Sequence, residues 1–117
     1  MPESIYIETT IPSLYVARPS AQLVEVARQQ LTRIWWDDHR SDYNLVCSQT
    51  VLDECARGET EMAEKRIALL DSVPLLELSP KILTVSQDLV NCGIIPTKAA
   101  DDAVHIAVAY VHEIDYL

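Results

Sequence analysis

The sequence predicts an α/β protein built on a parallel sheet with helices on both of its faces. Short apolar runs rich in β-branched residues alternate with longer amphipathic segments, an order typical of parallel sheets covered on both faces. The chain has 117 residues, 49% of them hydrophobic, and only two glycines. This size and composition predict a single domain, residues 1–117, with one buried core.

Short apolar segments mark the candidate strands. The first, Ser4–Ile7, should be central in the sheet, with Glu8 at its carboxyl end. The others are Asn44–Cys47, Leu75–Leu78 and the entry to a fourth strand at Asp115–Leu117.

Helix signals fill the intervals between these strands. Ser48 and Ser79-Pro80 are start signals for two helices, which Gly58 and Gly93 should end. A further helix is expected over Glu61–Ser72, and an apolar, deeply packed one should run through about His112. After a cap at Ser20, an amphipathic helix should run to about His39. Its apolar stripe consists of Val24, Ala27, Leu31, Ile34 and Trp35.

The charge of the chain limits how it would meet nucleic acid. Nine basic and eighteen acidic residues give a net charge of −9. A protein that binds nucleic acid through its whole surface needs a positive charge to attract the phosphates. An acidic protein can still cut RNA where its carboxylates hold metal ions. Solubility alone also explains an acidic surface.

The sequence contains no apolar run long enough to span a membrane, and its amino-terminal residues lack the pattern of a signal peptide. The three cysteines are odd in number and show no paired spacing. These features predict a reduced, cytoplasmic chain with its thiols in the core.

Three acids are candidates for one site. Glu8 ends the first strand, Glu54 lies in the helix after the second, and Asp102 lies in the first turn of the last helix. In open parallel sheets, ligands bind beyond the carboxyl ends of the strands. Carboxylates gathered there repel one another unless a cation lies between them, and oxygen ligands favour Mg²⁺ or Mn²⁺.

Each acid also has a structural interpretation. Glu8 fits a turn, Glu54 fits a solvated helix face, and Asp102 fits the positive end of a helix dipole. His105, three residues after Asp102, is either a functional histidine or a buried, hydrogen-bonded core residue. We expect the core role, because its helix is apolar on most sides. Of Trp35 and Trp36, one ring should lie in the core and the other at a rim.

Three stretches of the chain resemble the motifs of PIN domains, and the similarity is closest to VapC-like toxins of bacterial toxin–antitoxin pairs. They are Ile5–Ser13, Ser48–Glu54 and Lys98–Ala107. The resemblance implies a three-layer α/β/α sandwich and a ribonuclease whose Mg²⁺ or Mn²⁺ is held by Glu8, Glu54 and Asp102. It also implies RNA as substrate, an antitoxin partner and a homodimer.

The chain departs from the family pattern in two ways. Glu8 stands where the family usually has aspartate, and the chain ends at Leu117, so the family's C-terminal strands are expected to be missing. A dimer should then bury apolar surface near Ile114, Tyr116 and Leu117. The alternative is an inert, truncated PIN-like module for binding or dimerisation. A nucleotide-binding doubly wound domain is disfavoured, because the sequence has no glycine-rich loop.

Overall fold

The sheet is organised around β1, Ser4–Tyr6, in a computed structural model that describes residues 2–117. β1 pairs in parallel with β2, Asn44–Val46, with Ile5 opposite Leu45. On its other side, Ile5 forms a parallel bridge with Tyr116. β1 therefore has a parallel neighbour on both sides and Glu8 follows its carboxyl end, as the sequence predicts.

The third and fourth predicted strands are reduced to single bridges. Leu75 alone pairs with Cys47, and Tyr116 alone pairs with Ile5. Beside Tyr116, the backbone N–H of Ser4 donates to the Asp115 carboxylate at 2.8 Å. The parallel bridge at Tyr116 agrees with the expected entry to a fourth strand at Asp115–Leu117. Leu75–Leu78, by contrast, is not a regular strand, because only Leu75 pairs.

Six α-helices surround these strands within residues 2–117, and none of them is both long and apolar enough to cross a membrane. Ser48 and Ser79 are the N-cap residues of two helices, and Gly58 and Gly93 beyond their ends have φ near +86° and +85°. Glycine adopts this left-handed conformation without steric cost. In chain order the helices are α1 Thr10–Val16, α2 Leu23–His39, α3 Gln49–Cys55, α4 Thr60–Leu69, α5 Pro80–Asn91 and α6 Ala100–Val111.

Helix α1 is not predicted from the sequence, because it is short and contains a proline. Pro12 is its third residue and is buried. At that position the missing N–H removes no hydrogen bond, since the first four N–H groups of a helix have no partner within it. α1 lies directly after Glu8 and Thr9, so this unforeseen helix forms one side of the region beyond β1.

The apolar stripe of α2 faces solvent. Val24 is 74% exposed, Leu31 67% and Ile34 50%. The face turned inward instead carries Gln29, which is 4% exposed, and Trp36, which is 1% exposed. The helix itself is confirmed, but it begins at Leu23 after Gln22 and not after a cap at Ser20. Of its apolar stripe, only Trp35 packs against the core.

Two polar side chains explain this orientation of α2. Arg33 donates hydrogen bonds to the carbonyls of Tyr15 and Ala17 at 3.0 and 2.7 Å. Gln29 donates to the carbonyl of Arg18 at 3.0 Å. The last carbonyls of a helix have no partner within the helix. α2 supplies donors to the end of α1 and to the segment after it, and this requires its polar face to point inward.

The core lies between β1, β2 and helices α3, α5 and α6. α6 buries Ala103, His105, Ala107 and Val108 and packs against α5, but Tyr110 is 69% exposed. The expectation of a deeply packed α6 therefore holds for one face only. The core cluster consists of Tyr6, Ile7, Trp36, Cys47, Val51, Cys55, Leu70, Val73, Ile82, Ala107 and Val108.

The cysteines and tryptophans divide between core and surface. Cys47 and Cys55 are fully buried as expected, but Cys92 is exposed, so the expectation of a core thiol is wrong there. Cys92 follows the last residue of α5, beside Gly93, where the chain turns away from the core. Trp36 is buried while Trp35 is half-buried, which confirms the predicted division of the pair.

Thiol labelling tests the burial of the cysteines. Burial raises the pKa of the Cys47 thiol to about 11 and also raises that of Cys55, and the thiolate is the reactive form. At about pH 8, iodoacetamide should modify one thiol per native chain and three per chain in urea. Cys92→Ser should abolish native labelling. Rapid native modification of a second cysteine, detected by mass spectrometry, would contradict this packing.

Two neighbouring residues of α5 test the position of the core. Ile82 is fully buried and Leu83 is 56% exposed. Ile82→Ala should lower the free energy of unfolding by about 2–5 kcal/mol, because it leaves a cavity. Leu83→Ala should change it by about 0.5 kcal/mol or less. Urea denaturation measures both, and equal losses would show that the face of α5 is wrongly assigned.

Candidate active site

A cleft of roughly 750 Å³ opens at the carboxyl end of β1. Its walls come from β1, from the start of α1, from α2 through Trp35 and from α6. Most of the lining is apolar, for example Ile7, Ile95 and Ile106. Charged groups enter it at two points only among the described residues, Glu8 and Asp102.

Glu8 and Asp102 reach this cleft from opposite ends of the sequence. Glu8 follows the buried Ile7, and its Oε1 accepts a hydrogen bond from the backbone N–H of Thr10 at 3.1 Å. Asp102 is exposed in the first turn of α6. The turn interpretation of Glu8 and the helix-terminus interpretation of Asp102 are thus both observed, and both residues also line the cleft.

Glu54 lies next to the cleft rather than among its lining residues. Its side chain is 17% exposed, and its Oε1 accepts hydrogen bonds from Thr9 Oγ1 at 2.8 Å and from His105 Nε2 at 2.6 Å. Thr9 immediately follows Glu8, and His105 is one helical turn beyond Asp102. Glu54 is therefore linked to the segment that carries each of the other two acids.

A buried chain of hydrogen bonds continues from His105 into the core. His105 Nδ1 lies 2.7 Å from the hydroxyl of Tyr6, which lies 2.7 Å from Ser48 Oγ. Burial raises the pKa of Tyr6 well above its ordinary value, so this phenol stays neutral. The five-residue network Ser48–Tyr6–His105–Glu54–Thr9 connects β1, α3 and α6.

The expected role of His105 as a buried, hydrogen-bonded residue is confirmed. It is 3% exposed, and both of its ring nitrogens have partners. A ring nitrogen that is already hydrogen-bonded is not free to ligate a metal ion or to accept a substrate proton. Its link to Glu54 is not foreseen from the sequence. The feature of the sequence that could have indicated this link is a polar side chain on the buried face of an apolar helix, because such a side chain requires a hydrogen-bond partner.

The acids fit a hydrated cation better than a closed metal site. Within residues 2–117, no three His, Cys, Asp or Glu side chains lie close enough together to hold a metal ion. Mg²⁺ usually keeps several waters and is held by one or two carboxylates. Glu8 and Asp102 supply such a pair in one cleft, and oxygen donors favour Mg²⁺ or Mn²⁺ over zinc. The donor chemistry therefore fits, although a preformed site of three carboxylates is absent from this part of the chain.

One carboxylate oxygen of Glu54 forms no hydrogen bond to residues 2–117. Both of its hydrogen bonds to residues 2–117 end on Oε1. No buried side-chain oxygen or nitrogen in this range lacks a partner. The Oε2 atom is therefore in contact with solvent and can accept a further donor or a cation.

The chain was compared with protein-family models, with curated proteins and with solved structures. No family model matches it, and neither a curated protein nor a solved structure matches it.

Proposed function

We propose that this protein is a Mg²⁺- or Mn²⁺-dependent endoribonuclease with a PIN-like, three-layer α/β/α architecture. Glu8, Glu54 and Asp102 form its acidic centre. The observation that carries the proposal is that Glu8 and Asp102 line one cleft beyond the carboxyl end of the central strand. This is where open α/β sheets bind their ligands.

Electrostatics support a cation in this cleft. Its lining within residues 2–117 contains two carboxylates and no lysine or arginine. A phosphodiester would be repelled by Glu8 and Asp102 alone, since like charges repel strongly in a partly desolvated site. A divalent ion held by these carboxylates reverses the local sign, polarises a phosphoryl oxygen and lowers the pKa of a bound water.

The remaining lining suits unpaired bases. Trp35 contributes an aromatic ring, and this ring stacks on Tyr43 with centroids 6.0 Å apart and a 30° angle between the planes. A ring held in this way offers a fixed apolar surface near the carboxylates. Proteins that bind single-stranded RNA stack its bases on such side chains. We therefore propose single-stranded RNA as the substrate.

A metal titration with matched variants tests the proposal. Isothermal titration should show Mn²⁺ binding to the wild type, and Asp102→Asn and Glu8→Gln should each weaken it by at least about tenfold, because each removes a charged oxygen ligand. Asp101→Asn is the control, since Asp101 forms an exposed ion pair with Arg57 at 3.3 Å. It should bind Mn²⁺ like the wild type.

Cleavage of a labelled single-stranded RNA completes this test. The wild type should cut it with Mg²⁺ or Mn²⁺ and stop when EDTA is added, whereas Asp102→Asn should be inactive. Absence of both Mn²⁺ binding and cleavage would favour the inert PIN-like binding module. Cleavage that survives EDTA would contradict the metal-dependent mechanism.

Association is a second part of the proposal, either with an antitoxin or between two copies of the chain. The stripe Val24, Ala27, Leu31 and Ile34 has the alternating spacing of three and four residues that pairs helices. An antiparallel two-fold pairing of α2 would set the small Ala27 against the partner's Leu31. The exposure of the stripe favours this surface over the C-terminal segment, where Ile114 is half-buried and Tyr116 is tied to β1.

Light scattering tests for the homodimer. At micromolar concentration the wild type should have twice the 13.2 kDa mass of the chain. Leu31→Glu should yield the monomer, because it buries a charge in the pairing surface. Leu83→Glu, at a comparably exposed leucine outside the stripe, should remain dimeric. A monomeric wild type would rule the dimer out, and a monomer produced only by Leu117→Glu would move the interface to the chain end.

A further inference from the structure

We propose that His105 is a positioning residue that holds the Glu54 carboxylate by one oxygen and so keeps the other open to a cation. This inference rests on the proposed function, since it assigns Glu54 to the acidic centre. His105 lines the cleft beside Glu8 and Asp102. It acts there through Glu54 and not by touching the substrate, because both of its ring nitrogens are already hydrogen-bonded.

A proton lies between His105 and Glu54. The Nε2 and Oε1 atoms are 2.6 Å apart. Two lone pairs facing each other at that distance would repel, so one of the two groups must donate. A donating Nε2–H and an accepting carboxylate form a charge-assisted hydrogen bond, which is stronger than a neutral one.

Tyr6 and Ser48 hold the imidazole ring with Nε2 facing Glu54. When the imidazole is neutral, the Tyr6 hydroxyl donates to Nδ1 and accepts from Ser48. When the imidazole is charged, Nδ1–H donates to Tyr6, and Tyr6 donates to Ser48. In both arrangements every hydrogen bond is satisfied and Nε2 remains the donor to Glu54. The contact between Nδ1 and Tyr6 thus orients the ring so that Nε2 faces the carboxylate.

The second donor completes the hold on Glu54. Thr9 Oγ1 donates to the same Oε1 at 2.8 Å, so the two hydrogen bonds fix the carboxylate while Oε2 stays in contact with solvent. Without His105 the glutamate side chain keeps one anchor and regains rotamer freedom that cation binding must remove. Partners that orient a metal ligand typically change metal affinity by about 10- to 100-fold when removed.

Two isosteric variants separate positioning from packing. In His105→Gln the side-chain amide nitrogen reaches the place of Nε2 and can donate to Glu54. In His105→Asn the shorter amide reaches the place of Nδ1 and can contact only Tyr6. We expect His105→Gln to bind Mn²⁺ within about threefold of the wild type and His105→Asn to bind roughly 10- to 100-fold more weakly. Circular dichroism checks that both variants are folded.

The outcomes distinguish this inference from the proposed function. If the wild type does not bind Mn²⁺, the proposed function fails and this inference fails with it. If the wild type binds and the two variants behave alike, only the positioning role of His105 is overturned.

A second measurement needs no metal. In long-range ¹H–¹⁵N spectra of the wild type, Nε2 of His105 should carry a downfield proton that exchanges slowly with water. Glu54→Gln should reduce its downfield shift, because the acceptor loses its charge. An unprotonated Nε2 in the wild type would overturn the inference whatever the titrations give.

Discussion

The contact between His105 and Glu54 is the constraint on which the organisation of the candidate site depends. It joins α6 to α3 at 2.6 Å, and through Tyr6 it is anchored on the central strand. A buried polar group without a partner destabilises a fold by about 1–3 kcal/mol. Removal of one of the side chains of His105, Glu54 and Tyr6 therefore leaves another without its hydrogen-bond partner. The chemistry beyond the end of β1 is therefore tied to core packing. Ser48, six residues before Glu54, is connected to it through the side chains of Tyr6 and His105.

A second constraint is the need of α1 for hydrogen-bond donors. α1 has only seven residues, so its unpaired carbonyls are a large share of its backbone. Arg33 and Gln29 of α2 donate to it and to the segment after it. Because these polar residues point inward, the apolar stripe of α2 points outward. Exposed apolar patches such as the stripe of α2 are typical of interaction surfaces.

The sequence predicts those features whose signals are local. The apolar run at β1, Ser48 at the N-cap position of α3 and the proline at the start of α5 each mark an element correctly. The Ser48 hydroxyl contacts Tyr6 and forms no capping hydrogen bond. Of the three acids expected in one cleft, Glu8 and Asp102 line it and Glu54 does not. The positions of Glu8 and Asp102 follow from element ends in a parallel sheet.

The failures come from interactions between distant residues. The inward face of α2 is decided by carbonyls of α1, and α1 itself is hidden by Pro12. The partner of His105 lies 51 positions away along the chain. Periodicity within one segment carries no information about such contacts. The strand predicted at Leu75–Leu78 is likewise reduced to one bridge, between Leu75 and Cys47.

The three acids differ in how firmly the protein holds them, and this difference bears on the chemistry proposed for the cleft. Glu8 has a longer side chain than an aspartate, but its Oε1 accepts a hydrogen bond from the backbone N–H of Thr10, which limits the freedom of that side chain. Glu54 is held by Thr9 and His105. Asp102 is exposed and forms no hydrogen bond through its side chain to the described residues.

A cation binds more tightly when its ligands are already ordered, because less side-chain entropy is lost on binding. Glu8 and Glu54 meet that condition, and Asp102 does not. Binding of a cation would therefore mainly restrict the side chain of Asp102. This side chain is short, so the entropy that it loses is small. Asp102 also lies in the first turn of α6, at the positive end of the helix dipole. Asp102, the acid with the fewest contacts, is thus the one that loses the least entropy when it changes conformation. Two ordered carboxylates, Glu8 and Glu54, with one mobile carboxylate suit an ion that retains most of its water.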